Sequence, residues 1–133
     1  GRAGPAAPLA AEDLRAAARR VELGVADPIH QFASRAEEDK GLCRELVRAG
    51  MCGALVSHLS SEGRHQRAAT RLLALLVGAA LSGGLAREAS SSLLRSGAVE
   101  RLAALLAHAD AELAADAALA LGHGSCRCPE VQE

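Results

Sequence analysis

Apolar residues recur along the chain at the spacing of helices that bury one face. Between Ala11 and Leu23, Leu14, Ala18 and Val21 fall on one side of a helix. Asp27-Pro28 reads as an N-cap followed by proline at the first helical position, and Ile29, Phe32, Ala33 and Ala36 form a short apolar stripe behind it. Leu55 and Leu59 stand at i and i+4, as do Leu102 and Leu106. The polar breaks Ser60-Ser61-Glu62-Gly63 and His108-Ala109-Asp110 separate these short helices from longer ones. The pattern predicts those as Arg64 to about Leu81 and Ala111 to Leu121, with Ser61 and Asp110 as suitable N-caps.

The pattern also repeats. Leu46-Val47-Arg48-Ala49-Gly50 returns 47 residues later as Leu93-Leu94-Arg95-Ser96-Gly97, and Leu55 and Leu59 return as Leu102 and Leu106 at the same offset. In the third helix Ala68, Ala69, Leu73 and Leu75 match Ala114, Ala115, Leu119 and Leu121 at an offset of 46, which places a one-residue slip in the preceding loop. Each copy reads as three helices, the first ending at a glycine able to take the left-handed cap conformation. One such unit cannot bury its apolar faces alone, and stacked neighbours complete the core. The expected fold is therefore all-α, an armadillo/HEAT-like right-handed α-solenoid of about two to three repeats.

The expected organisation is a disordered segment 1–8, degenerate capping helices 9–39, repeats 40–83 and 84–124, and residues 125–133 as a frayed tail or the truncated start of a further repeat. Pro129 is placed to open such a repeat. An end left uncapped there would leave Leu113, Ala117 and Leu121 poorly covered and favour self-association. The small, proline-containing start GRAGPAAP has no signal-peptide hydrophobic region, so the chain reads as a fragment or truncated product.

Ser96-Gly97-Ala98-Val99, the leucines of 102–106, the polar break and Ala118-Leu119-Ala120-Leu121-Gly122-His123 together resemble an armadillo repeat. The usual family ending is Ala-x-Ala-Leu-Gly-Asn; His123 stands where that Asn falls and Leu119 where a Trp is common. The resemblance covers roughly residues 40–124 and is most specific over 84–124. It implies that the third helix of each unit lines a concave groove. Partner-binding positions would then be Gln66, Thr70, Leu73 and Val77 in one copy and Glu112, Asp116, Leu119 and His123 in the other. The Trp/Asn ladder that clamps extended peptides in relatives is missing, which argues against a nuclear-import type of cargo. The layout, a non-repetitive helical start followed by Gly-led units, is similar to the small-G-protein GDP dissociation stimulator group. That likeness implies a small GTPase as an alternative partner, and a regulator that promotes nucleotide release without a conventional catalytic side chain.

Composition narrows the remaining choices. The chain of 133 residues holds 31 Ala and 21 Leu but one Phe, one Met and no Trp or Tyr. Ala and Leu favour helices, and so few β-branched and aromatic residues make an all-β fold unlikely. A single Phe gives no platform for stacking bases and no cage for a quaternary cation. Fifteen basic and sixteen acidic residues leave a formal charge of −1, which argues against a dedicated nucleic-acid or membrane-surface binder. The longest apolar stretch, Leu72 to Leu81, is too short to span a membrane. Four cysteines in an Ala/Leu-rich chain read as reduced thiols of a cytoplasmic protein, Cys43 and Cys52 serving as small core residues.

No catalytic constellation is present, and no cofactor or metal is expected. Cys126-x-Cys128 offers two thiols, but a structural zinc site needs four ligands, so the pair reads as coincidental. Gly83-Gly84 is not followed by a phosphate-loop Lys and reads as a turn. Arg64, Arg67 and Arg71 share one helix face, either to engage phosphate or an acidic partner or as an ordinary solvated stripe. Ser90-Ser91-Ser92 reads as a phosphorylation site ahead of a helix or as helix-capping polarity. His123 reads as a hydrogen-bonding replacement for the family Asn or as a pH-sensitive groove contact.

Overall fold

The computed structural model describes residues 11–60 and 64–125, and there the regular structure is entirely helical, with no strand. The segment 1–10, Ser61, and the tail with Cys126, Cys128 and Pro129 lie outside the described residues. The elements are α1 (Ala11–Glu22), α2 (Asp27–Ala36), α3 (Lys40–Arg48), α4 (Met51–Ala54), a 3-10 helix (Leu55–Ser60), α5 (Arg64–Ser82), α6 (Ala86–Ser96), α7 (Ala98–Leu105) and α8 (Ala111–Ser125).

Helix ends follow local chemistry. Helix α1 closes at Gly24, whose φ of 110° is left-handed, while the Val25 N–H reaches back to the Arg20 carbonyl at 2.9 Å. Asp39 caps α3, its Oδ1 accepting from the Leu42 N–H at 3.0 Å. Gly97, with φ 79°, ends α6 and begins α7 in a single residue, whereas α3 closes at Ala49 and Gly50, with φ 89°, follows as the N-cap of α4. Two sequence expectations shift. Ala26, not Asp27, occupies the N-cap of α2; Asp27 sits in the first turn, where its carboxylate still faces the positive helix end. Ser90 to Ser92 lie inside α6, not before it, and Ser90 is buried.

Helix α5 is the centre of the packing. It meets α2 on one side and α8 on the other, and also touches α3, the 3-10 helix and α6. A helix contacted from so many directions is apolar around most of its circumference. Leu72, Leu73, Leu76, Val77, Ala69, Ala79 and Ala80 are accordingly all buried. Elsewhere α1 packs on α4, and the 3-10 helix packs on α7. Leu14, Val21, Ile29, Phe32, Met51, Leu55, Leu93, Leu102 and Leu113 are buried in one continuous core. The many alanines let helix backbones approach closely, which is how a core with one aromatic residue can be continuous.

Buried polar groups are satisfied internally. His58, 6% exposed, has Nε2 2.8 Å from the Val21 carbonyl and so ties the 3-10 helix to the end of α1. Cys43 and Cys52 are free thiols in the core. Burial raises the pKa of both, that of Cys52 to about 12, so neither is an activated nucleophile.

Candidate functional site

The repeat places two third helices, α5 and α8, side by side, but not in the register the sequence suggests. Exposed Arg67 and Arg71 would map at an offset of 46 onto Leu113 and Ala117, both buried. At 47 the buried residues Gln66, Thr70 and Leu73 map onto buried Leu113, Ala117 and Ala120. The copies thus stay in step through the third helix, and the expected slip does not occur.

This register corrects half of the expected partner-binding set. Gln66, Thr70, Leu73 and Val77 face the interior, with Thr70 and Leu73 fully shielded from solvent. Their polar groups are already used: Gln66 Nε2 donates to the Leu59 carbonyl at 2.8 Å, and Thr70 Oγ1 donates to the Gln66 carbonyl at 2.7 Å. The physical reason is that this stripe of α5, like its counterpart Leu113, Ala117 and Ala120 on α8, is the one packed into the core. The second-copy residues differ. Glu112 and Leu119 are exposed, Leu119 at 51%, and Asp116 is half-buried. His123 lies on α8, but its side chain is outside the described residues.

The exposed face of α5 carries the chemistry. Arg67 and Arg71, one turn apart, reach across to both neighbouring helices. Arg67 pairs with Asp110 at 2.8 Å and with Glu112 at 3.4 Å. Arg71 pairs with Glu37, just past α2, and stands 3.9 Å from Asp116 on α8. Arg67 and Arg71 are therefore neither a free anion site nor an idle solvated face; carboxylates of this chain hold them. Each pair is partly exposed and screened by solvent, so the set orients side chains more than it holds the fold together.

The two C-terminal aspartates have opposite environments. At Asp110 desolvation would raise the pKa, but the Leu113 N–H, Arg67 and the Glu112 N–H outweigh it and hold the carboxyl below its ordinary value. Asp110 is also the N-cap of α8, as its place in the sequence suggests. At Asp116, whose side chain is 16% exposed, desolvation dominates and raises the pKa, helped by the nearby Glu112 and opposed by Arg71.

Two hollows run along this face and meet at Arg71 and Asp116. One, of about 420 Å³, lies between α2 and α8 and is bordered by His30, Glu37, Arg67 and Glu112. The other, of about 310 Å³, continues beside Lys40, Leu75, Gly78, Ser82 and Leu119. The result is an open trough with α5 as its floor, charged and ion-paired at one end and more aliphatic at the other. Glu37, Lys40 and Leu75 were not among the residues expected at the site. Arg67 and Arg71 were visible as a landmark, but no sequence signal shows which carboxylates they meet.

Among the described residues there is no group of three or more His, Cys, Asp or Glu side chains placed to hold a metal ion, and no helix long and apolar enough to cross a membrane. Compared with protein-family models, curated proteins and solved structures, the chain matches none significantly.

Proposed function

We propose that this chain is a non-enzymatic interaction scaffold, a section of an armadillo-type right-handed α-solenoid that binds a protein partner along its trough. In this reading α2, α5 and α8 are successive groove-lining helices, and α1, the α4/3-10 segment and α7 are the row behind them. The packing of α2 on α5 and of α5 on α8 supports it, as does that of α1 on α4 and of the 3-10 helix on α7. The observation that carries the reading is the continuous trough meeting at Arg71 and Asp116, with exposed Leu119 on its wall. A surface that offers an aliphatic strip beside fixed charges suits recognition of a folded or extended protein surface, which needs an apolar anchor and a polar rim. The proposed contact residues are Glu37, Arg71, Leu75, Glu112, Asp116 and Leu119.

The test is affinity capture with the full chain as bait, beside the variants Leu119→Glu and Asp116→Arg. Both substitutions lie on the trough wall and should remove the same captured proteins while leaving the helical circular-dichroism spectrum intact. Capture unchanged by either variant would overturn the groove assignment. Enrichment of small GTPases that depends on bound nucleotide would instead favour the dissociation-stimulator reading.

A further inference from the structure

His30 on α2 and His65 in the first turn of α5 are 35 residues apart in sequence, yet the fold brings His30 Nε2 to 2.8 Å from His65 Nδ1. The ring centroids are 5.0 Å apart and the planes tilted by 60°. A hydrogen bond between imidazoles needs an N–H on one ring and a lone pair on the other, both aimed at the space between them. A metal ion in place of that shared proton would meet two nitrogens already convergent on it.

The nitrogens start close to the spacing an ion needs. Two metal–nitrogen bonds of about 2.0–2.1 Å at a tetrahedral angle set the nitrogens roughly 3.3 Å apart. The rings must therefore separate by about half an ångström and each turn by roughly 35°, because an ion with a tetrahedral angle lies off the line joining the two nitrogens. His65 is exposed and sits near the start of its helix, so its side chain has room to move. Among the described residues, the charged groups that line the cleft with His30 include Glu37, Arg67, Arg71, Glu112 and Asp116. Both arginines are drawn to carboxylates, which limits their repulsion of a cation.

We propose that His30 and His65 form a two-point clamp for a divalent transition-metal ion of the imidazole-preferring class, joining α2 to α5. With no third side chain placed to complete a closed site among the described residues, water fills the remaining positions. Such an ion would brace the helix pair that forms one end of the trough. The clamp does not depend on the trough's having a protein partner.

The experiment uses the full chain carrying Cys126→Ser and Cys128→Ser, which removes the competing thiol ligands, after chelator stripping. Zinc, nickel and copper(II) chlorides are titrated separately, followed by calorimetry and thermal melting. One saturable ion per chain is expected, with a melting temperature that climbs with metal concentration and is highest for copper. His65→Ala should abolish saturable binding while leaving the metal-free melting temperature nearly unchanged. The proposal is overturned by absence of saturable binding, or by binding that survives both His65→Ala and His30→Ala. A metal-free melting temperature that depends on these histidines, without any metal response, would reduce the pair to a proton-sharing contact and equally overturn it.

Discussion

Leu73 and Leu119 look equivalent in the repeat, yet truncating each to alanine should have opposite consequences. Leu73 is fully buried on α5, the helix packed between α2 and α8. Leu73→Ala removes its contacts and leaves a cavity that two flanking helices can only partly close, at a cost of about 2–5 kcal/mol. Unfolding entropy near 2.1 cal/mol/K per residue, applied to 133 residues, converts a loss of about 3 kcal/mol into a melting temperature roughly 10 °C lower. Leu119 is 51% exposed, so Leu119→Ala should change stability by no more than about 0.5 kcal/mol. Urea unfolding monitored at 222 nm measures both, and partner capture is measured in parallel below the transition. The expected result is a destabilised Leu73 variant and a stable Leu119 variant that captures less. A stable Leu73→Ala chain with weakened capture would refute the placement of Leu73 in the core and restore it to the groove.

Two further results follow from local geometry. Gly97→Ala should cost about 1–2 kcal/mol, because φ is 79° and an L side chain is strained there whatever the space; its added Cβ would meet only Glu100 Oε1, at 4.0 Å. Chemical denaturation checks it, and an unchanged midpoint would mean the α6–α7 junction is not left-handed. The two aspartates should respond oppositely to acid. Asp110, whose folded pKa is lowered, supplies stability above the unfolded value of 3.8 that is lost as pH falls through the folded value. Asp116, whose folded pKa is raised, disfavours the folded state when charged, and that penalty disappears as pH falls through the folded value towards 3.8. Thermal melts from pH 7 to pH 3 should therefore show Asp110→Asn less stable than wild type at neutral pH and Asp116→Asn at least as stable. The difference between each variant and wild type should shrink on acidification. The reverse order at pH 7 would contradict the assigned environments.

The sequence by itself determined the helices and many of their ends. Leucine and alanine at i and i+4 require helical faces, and Gly50 and Gly97 stop helices because they can take a left-handed φ. The capping role of Asp110 was equally legible, since an N-cap is settled within three residues. What lay beyond reach was the sidedness of each helix. The residues of α5 are apolar over so much of the circumference that its pattern does not say which stripe faces solvent. That was decided when the fold buried Gln66, Thr70, Leu73 and Val77 and left Arg67 and Arg71 outside. The partners of those arginines were decided in the same way. Glu37 lies 34 residues before Arg71 and Asp110 lies 43 after Arg67, so only packing can join them. Helix formation and capping are governed by neighbours along the chain, whereas burial and ion pairing are governed by neighbours in space. The chain wrote the first into its repeat and left the second to the stacking of α2, α5 and α8.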